Sequence, residues 1–233
     1  MEKMKNNLVR TGVLMAVLAL GTSCFAGGTL AKYVTSGNAT DTARVAKFGV
    51  EIAATTANMF STEYAKDDTA YEGKLTVQSS TTDKVVAPGT KGDVAAFTLS
   101  GTPEVAVRVS YSADTVDFGD NWVDADGGYY CPIIVTVGDA DVNGLDYTSI
   151  DAFESAIQTA VNAYTVDYDP NTDLAALGTS APNVSWRWDF ETGNTDAEKT
   201  ANDVKDTYLG DQAADGNAAT IKMAITAKVT QID

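Results

Sequence analysis

The segment TIKMAITAKVTQ, residues 220–231, constrains the fold of this chain most strongly. Ile221, Met223, Ile225, Ala227 and Val229 recur at a period of two, and Lys222, Thr226 and Lys228 fall between them. Period two is the spacing of a β-strand, whose successive side chains point to opposite faces. A strand with one apolar and one polar face belongs to a sheet that is packed on one side and wet on the other.

The same pattern recurs upstream. ARVAKFGVEIAAT (43–55), GKLTVQS (73–79) and DKVVAPGTKGDVAAFTLSG (83–101) read as strands, the last with a turn at Pro88-Gly89. VAVRVSYSADTVDF (105–118) places Val105, Val107, Val109 and Tyr111 on one face and Ala106, Arg108 and Ser110 on the other. YYCPIIVTVG (129–138) follows a DADGG turn. NVSWRWDFE (183–191) alternates Val184, Trp186, Trp188 and Phe190 against Ser185, Arg187 and Asp189. Two stretches break the period. In 147–166, Ile150, Phe153, Ile157, Ala160 and Val161 fall at helical spacing behind an N-cap at Ser149. Residues 195–214 are polar with a thin stripe of Ala201, Val204, Tyr208 and Leu209, read as one or two short surface helices. The expectation is a mostly β chain, an antiparallel β-sandwich over 43–233 with helical insertions near 149–163 and 195–213.

Charge narrows the function. Sixteen basic residues face 32 acidic ones, a net charge of -16. Such a chain repels nucleic acid, whose binding needs a cationic footprint. Histidine is absent. That removes the usual neutral-pH general base, Ser-His and Cys-His dyads, and HExxH zinc chemistry. The two cysteines are Cys24 and Cys131. Cys131, with no base beside it, reads as a buried core thiol rather than a nucleophile.

The N-terminus reads as a signal peptide over 1–31, with an uncleaved membrane anchor as the other reading. A basic stretch, MEKMKNNLVR, precedes 21 uncharged residues (11–31), of which VLMAVLAL is the strongly apolar part. Cleavage after Ala31, cleavage after Ala26 and lipid modification of Cys24 compete as processing points. Cutting after Ala31 leaves Lys32 as the new terminus and 13 basic against 31 acidic residues.

GGTLAKYVTSGNATDTARVAKFGVEI (27–52) resembles the start of the TasA/camelysin family of Gram-positive extracellular matrix proteins. GTLA matches that family's G-T-x-A cleavage region for a dedicated ER-type signal peptidase, and AKFGVEI sits where its first strand belongs. VVAPGTKGDVAAFTLSGTPEVAVRVSY and IKMAITAKVTQ are similar to a later Pro-Gly segment and to the terminal strand. The resemblance implies cleavage after Ala31, a jelly-roll-like sandwich with helical insertions, and fibres built by donor-strand exchange. The camelysin branch is classed with metallopeptidases, but no histidine ligand exists here, so no enzyme is expected.

The freed end has a physical role open to it. Lys32, Tyr33, Val34, Thr35 and Ser36 open a short polar segment, 32–42, of high β propensity in part. Alone it cannot stay ordered. An open sheet edge offers unpaired N–H and C=O groups to another chain. A neighbour's N-terminal segment filling that edge makes a head-to-tail contact that grows into filaments. Cleavage then gates assembly.

The nearest approach to a metal site is DADVNGLD (139–146). Asp139, Asp141 and Asn143, with Gly144, match positions of a calcium loop, but Asp146 and Ile150 stand where an apolar residue and a bidentate Glu belong. The other reading is an acidic hairpin turn. Trp186 and Trp188 lie on one strand face and read as core rather than a sugar platform, with Arg187 facing the opposite way. There is no LPxTG sorting motif, and Asp233 ends on a strand, so covalent wall anchoring is not expected. The expected function is a secreted filament subunit whose partners are itself, related matrix subunits and a signal peptidase. The alternatives are a monomeric surface adhesin or a calcium-dependent carbohydrate- or protein-binding module, and then a carboxylate hydrolase.

Overall fold

The structure is a computed structural model and describes residues 44–54, 59–65, 74–93, 97–180 and 182–232. The chain divides into compact units at 1–46 and 47–233. Residues 44–46 carry no regular structure, and the fold described below belongs to the second unit.

That unit is mostly β, with antiparallel sheets and two helices. The strands are β1 (Glu51–Ala54), β2 (Glu63–Ala65), β3 (Leu75–Gln78), β4 (Lys91–Asp93), β5 (Phe97–Ser100), β6 (Val107–Phe118), β7 (Ile133–Val137), β8 (Ala140–Asn143), β9 (Thr165–Tyr168), β10 (Val184–Trp188) and β11 (Ile221–Gln231). Helix α1 is Ile150–Ala163 and α2 is Asp196–Ala214. The sheets run β4-β10-β7-β8, β11-β6-β9, β1-β5 and β2-β3, and every pair is antiparallel.

The long pair β6–β11 realises the sequence pattern with one break. On β11, Met223 is buried and Ile221, Ile225, Ala227 and Val229 are half-buried, whereas Lys222, Thr226 and Lys228 are exposed. On β6 the buried positions are Val107, Val109 and Tyr111, then Val116 and Phe118. The parity changes because Ala224 pairs with Thr115 while Ile225 pairs with Ala113. Asp114 is the extra residue of a β-bulge. Its carboxylate accepts from Thr226 Oγ1 and Ser112 Oγ, and the neighbouring Ala113 N–H donates to Asn162 Oδ1 of α1 at 2.9 Å.

Helix α1 forms where expected. Ser149 Oγ accepts from Ala152 N, and Phe153, Ile157 and Val161 are fully buried at i, i+4, i+8. Glu154 reaches across to accept from Phe118 N at 2.6 Å. Side chains of β6, β7, β10 and α1 join in one hydrophobic cluster that includes Phe118, Val135, Trp186 and Phe153. Cys131 lies within it, fully buried, with its thiol pushed up to about 12 by burial. Trp186 and Trp188 are also core, and Trp186 Nε1 donates to Met59 O at 2.7 Å.

The Pro88-Gly89 turn is type II in its marks: Thr90 N donates to Ala87 O, and Gly89 has φ 83 at the position that requires a positive value.

Four expectations change. The alternation puts Phe190 on the face of the two tryptophans, but β10 ends at Trp188 and Phe190 sits in a bend, 73% exposed. Residues 43–55 give only the short β1, with 44–50 outside any strand. Val105 precedes β6 and is only half-buried. Residues 195–214 hold one 19-residue helix, Asp196–Ala214, opened by a capping box between Thr195 and Glu198, and of the expected apolar stripe only Leu209 is buried. Val204 is 64% exposed, whereas Asp206 and Leu209 are buried. Among the described residues, no helix is long and apolar enough to cross a membrane.

Candidate functional site

The cleavage residues Ala31 and Lys32 and the donor residues Lys32, Tyr33, Val34, Thr35 and Ser36 lie outside the described residues.

The acidic segment at 139–143 is a hairpin. Val137 pairs with Ala140, so the loop is the two residues Gly138 and Asp139, and Gly138 at φ 60 with Asp139 at negative φ marks a type II′ turn. Asp141 stands on β8 and faces Arg187 of β10, with Nη2–Oδ2 at 2.7 Å and Nη1–Oδ1 at 3.1 Å. Thr136 Oγ1 adds a third donor at 2.6 Å. The Arg187 and Thr136 bonds hold the Asp141 carboxyl at about 2. Asn143 Oδ1 accepts from Leu145 N and caps a short 3-10 turn at Gly144–Asp146. Gly144 allows a close approach of backbone to backbone, because a Cβ there would lie 2.3 Å from Cys131 O. Asp141 and Asn143 therefore have protein partners, and among the described residues no three His, Cys, Asp or Glu side chains gather as a metal-holding group.

The sheet edges give a more informative arrangement. Strand β11 is the longest edge strand described, and among the described residues only β6 pairs with it. The hydrogen bonds at its two ends fix which groups are spent. Gly119 N donates to Thr220 O, and Ile232 N donates to Ala106 O. In an antiparallel pair, hydrogen-bonded residues alternate with residues whose N–H and C=O point the other way. The even-numbered residues of β11 therefore bond to β6. The backbone groups of Ile221, Met223, Ile225, Ala227 and Val229 point to the open side. These are the same residues whose side chains turn toward the core, and four of the five are only half-buried. The side of β11 away from β6 thus combines backbone groups that no described strand pairs with incompletely covered apolar side chains.

A second feature is a cleft of about 440 Å³ beside the N-terminal half of α2. Tyr129 and Tyr130 come from the segment before β7, Tyr147 from the residue that ends the 3-10 turn, Asn194 from just before α2, and Asn202 and Lys205 from its N-terminal half. The walls are tied down. Tyr129 Oη donates to Gly144 O at 3.1 Å, and Tyr130 Oη donates to Asp206 Oδ1 at 2.7 Å. Lys205 Nζ lies 3.1 Å from Asp124 Oδ2 and 5.1 Å from the Tyr130 ring centroid. Glu198 Oε2 accepts from Asn194 N and Thr195 N, which lowers that carboxyl from its ordinary range. Lys205 and the Gly128 N–H do the same for Asp124.

Beneath the cleft, burial raises both the Tyr130 hydroxyl and the Asp206 carboxyl, and their mutual bond opposes the rise on Asp206. Trp188 Nε1 and Thr192 Oγ1 are buried beside this pair, close enough to bear on Asp206 and Tyr130, but among the described residues neither meets full hydrogen-bond geometry. The sequence pattern carried a signal here, the spacing Asn202, Asp206, Leu209 on one helical face, but two of the three are polar and an apolar stripe does not register them.

Known protein families, curated proteins and solved structures give no match to this chain.

Proposed function

We propose that this chain is a secreted structural subunit of an extracellular filament, in a biofilm matrix or on a Gram-positive cell surface. In this reading the sheets form a jelly-roll-like β-sandwich with α1 and α2 as insertions. Residues 32–42 of one copy, freed by cleavage after Ala31, add as a strand along β11 of the next. Signal peptidase acts once, during export. The lasting partners are further copies of the chain and related matrix subunits. No cofactor, catalysis or nucleic acid enters.

One observation carries the reading: the 11-residue β11 has an outer side that no described strand pairs. A strand added there gains main-chain hydrogen bonds and covers the half-exposed Ile221, Ile225 and Val229. The segment 32–42 has the same length as β11. Because donor and acceptor surfaces differ, the contact is heterologous and extends as a fibre. The acidic excess, 13 basic against 31 acidic residues after cleavage, opposes non-specific clumping, so growth depends on this contact.

The test compares protein beginning at Lys32 with protein beginning at Ala43, by light scattering and negative-stain microscopy. Filaments from the longer protein alone support the reading. Equal assembly by both, or monomers from both at high concentration, overturns it.

A further inference from the structure

We infer that the cleft walled by Tyr129, Tyr147, Asn194, Asn202 and Lys205 binds a neutral saccharide. This site is separate from β11 and does not depend on filament growth.

Three observations converge. The cleft volume of about 440 Å³ lies within the range of small-molecule sites. Its chemistry is mixed in the way a sugar needs. Tyr129 and Tyr147 are half-buried and line it, and an aromatic ring of this kind takes the C–H face of a sugar. The Tyr147 hydroxyl and the exposed Asn194 carboxamide make no hydrogen bond among the described residues, and Asn202 uses its Nδ2 on Thr192 O. Carboxamides donate and accept, as do sugar hydroxyls.

Charge selects among saccharides. The charged lining residues are Glu198 and Lys205, opposite in sign, the first engaged in capping α2 and the second paired with Asp124. The cleft is therefore neutral within a chain of net charge -16, which repels anionic polymers and offers a cationic ligand no free carboxylate pair. The tyrosine and lysine contacts that fix the walls also limit the ordering cost of binding.

The experiment is saturation-transfer NMR and titration on the mature chain with maltotetraose, cellotetraose and N,N′-diacetylchitobiose as probes. Asn194→Ala and Tyr147→Phe each remove one polar group; Asn194 is exposed, and the phenylalanine keeps the ring against Phe153, 5.7 Å away. The expected result is transfer to ring protons of at least one probe. Its Kd then rises about 3- to 10-fold in each variant, as loss of one neutral hydrogen bond gives. No transfer to any probe overturns the inference. So does a Kd unchanged in both variants, or stronger binding of an anionic oligogalacturonate.

Discussion

Proline at Ala227 separates the two sides of β11. Ala227 N–H points away from β6, so Ala227→Pro removes no bond of the β6–β11 ladder. Edge-strand positions of this kind tolerate proline. The side chain is small and half-buried, and the expected loss of stability is about 1 kcal/mol or less. Lys228 N–H instead faces Ser110, and Lys228→Pro removes that bond and leaves its acceptor unmet. The cost there is about 1–3 kcal/mol, or a Tm lower by several degrees for a domain of this size. Assembly should rank the other way. In Ala227→Pro the incoming strand loses a donor and meets a proline ring, a cost of about 1–3 kcal/mol per contact, or about 5- to 150-fold in the association constant. Urea denaturation measures the first quantity, and the critical concentration, read from sedimented material, measures the second. The reasoning fails if Ala227→Pro sediments at the wild-type critical concentration, or if it is destabilised as much as Lys228→Pro.

Two further expectations concern titration. Asp206 has its pKa raised by burial in the folded state, so it favours folding when protonated, and this contribution is lost as pH rises through the folded pKa. Asp206→Asn should therefore gain most over wild type near neutral pH, and the gap should close as pH falls toward the ordinary carboxylate range, measured by urea denaturation at several pH values. Asp141 is depressed to about 2 by Arg187 and Thr136, so its contribution is present above the ordinary Asp value and lost as pH falls toward 2. Because the pair is part exposed, Asp141→Asn should cost no more than about 1 kcal/mol at neutral pH, and its melting should fall less than wild type on acidification.

Local spacing made several elements legible. Ile221, Met223 and Ile225 announced β11, Val184, Trp186 and Trp188 announced the buried face of β10, and Ser149 with Phe153, Ile157 and Val161 announced α1. Each depends on residues within a few positions of one another. The hairpin at 138–139 was also open to reading, since Gly and Asp are turn residues. The change of face along β6 was not. Asp114 is an unremarkable polar residue in a strand, and it becomes a bulge only because Thr226 of β11 and Asn162 of α1 hold that stretch of β6 from two sides. The polar face of α2 was hidden for a related reason. Asp206 is buried because Tyr130, 76 positions away in the chain, donates to it, and no helical periodicity records such a partner.

The sequence by itself determined that the chain would be rich in two-sided strands, that it would use no histidine chemistry, and that α1 would pack by one apolar stripe. These follow from side-chain type and short-range spacing, which act before the chain has a tertiary structure. Only the tertiary structure decided that β11 stands at an edge, that Asp141 pairs with Arg187, and that Tyr129 and Tyr130 line one cleft with Tyr147 from a separate segment. Those outcomes depend on which distant strands pair and in what register, and pairing is a contest among all strands of similar pattern. The winner is set by the shared core, not by the composition of any one segment.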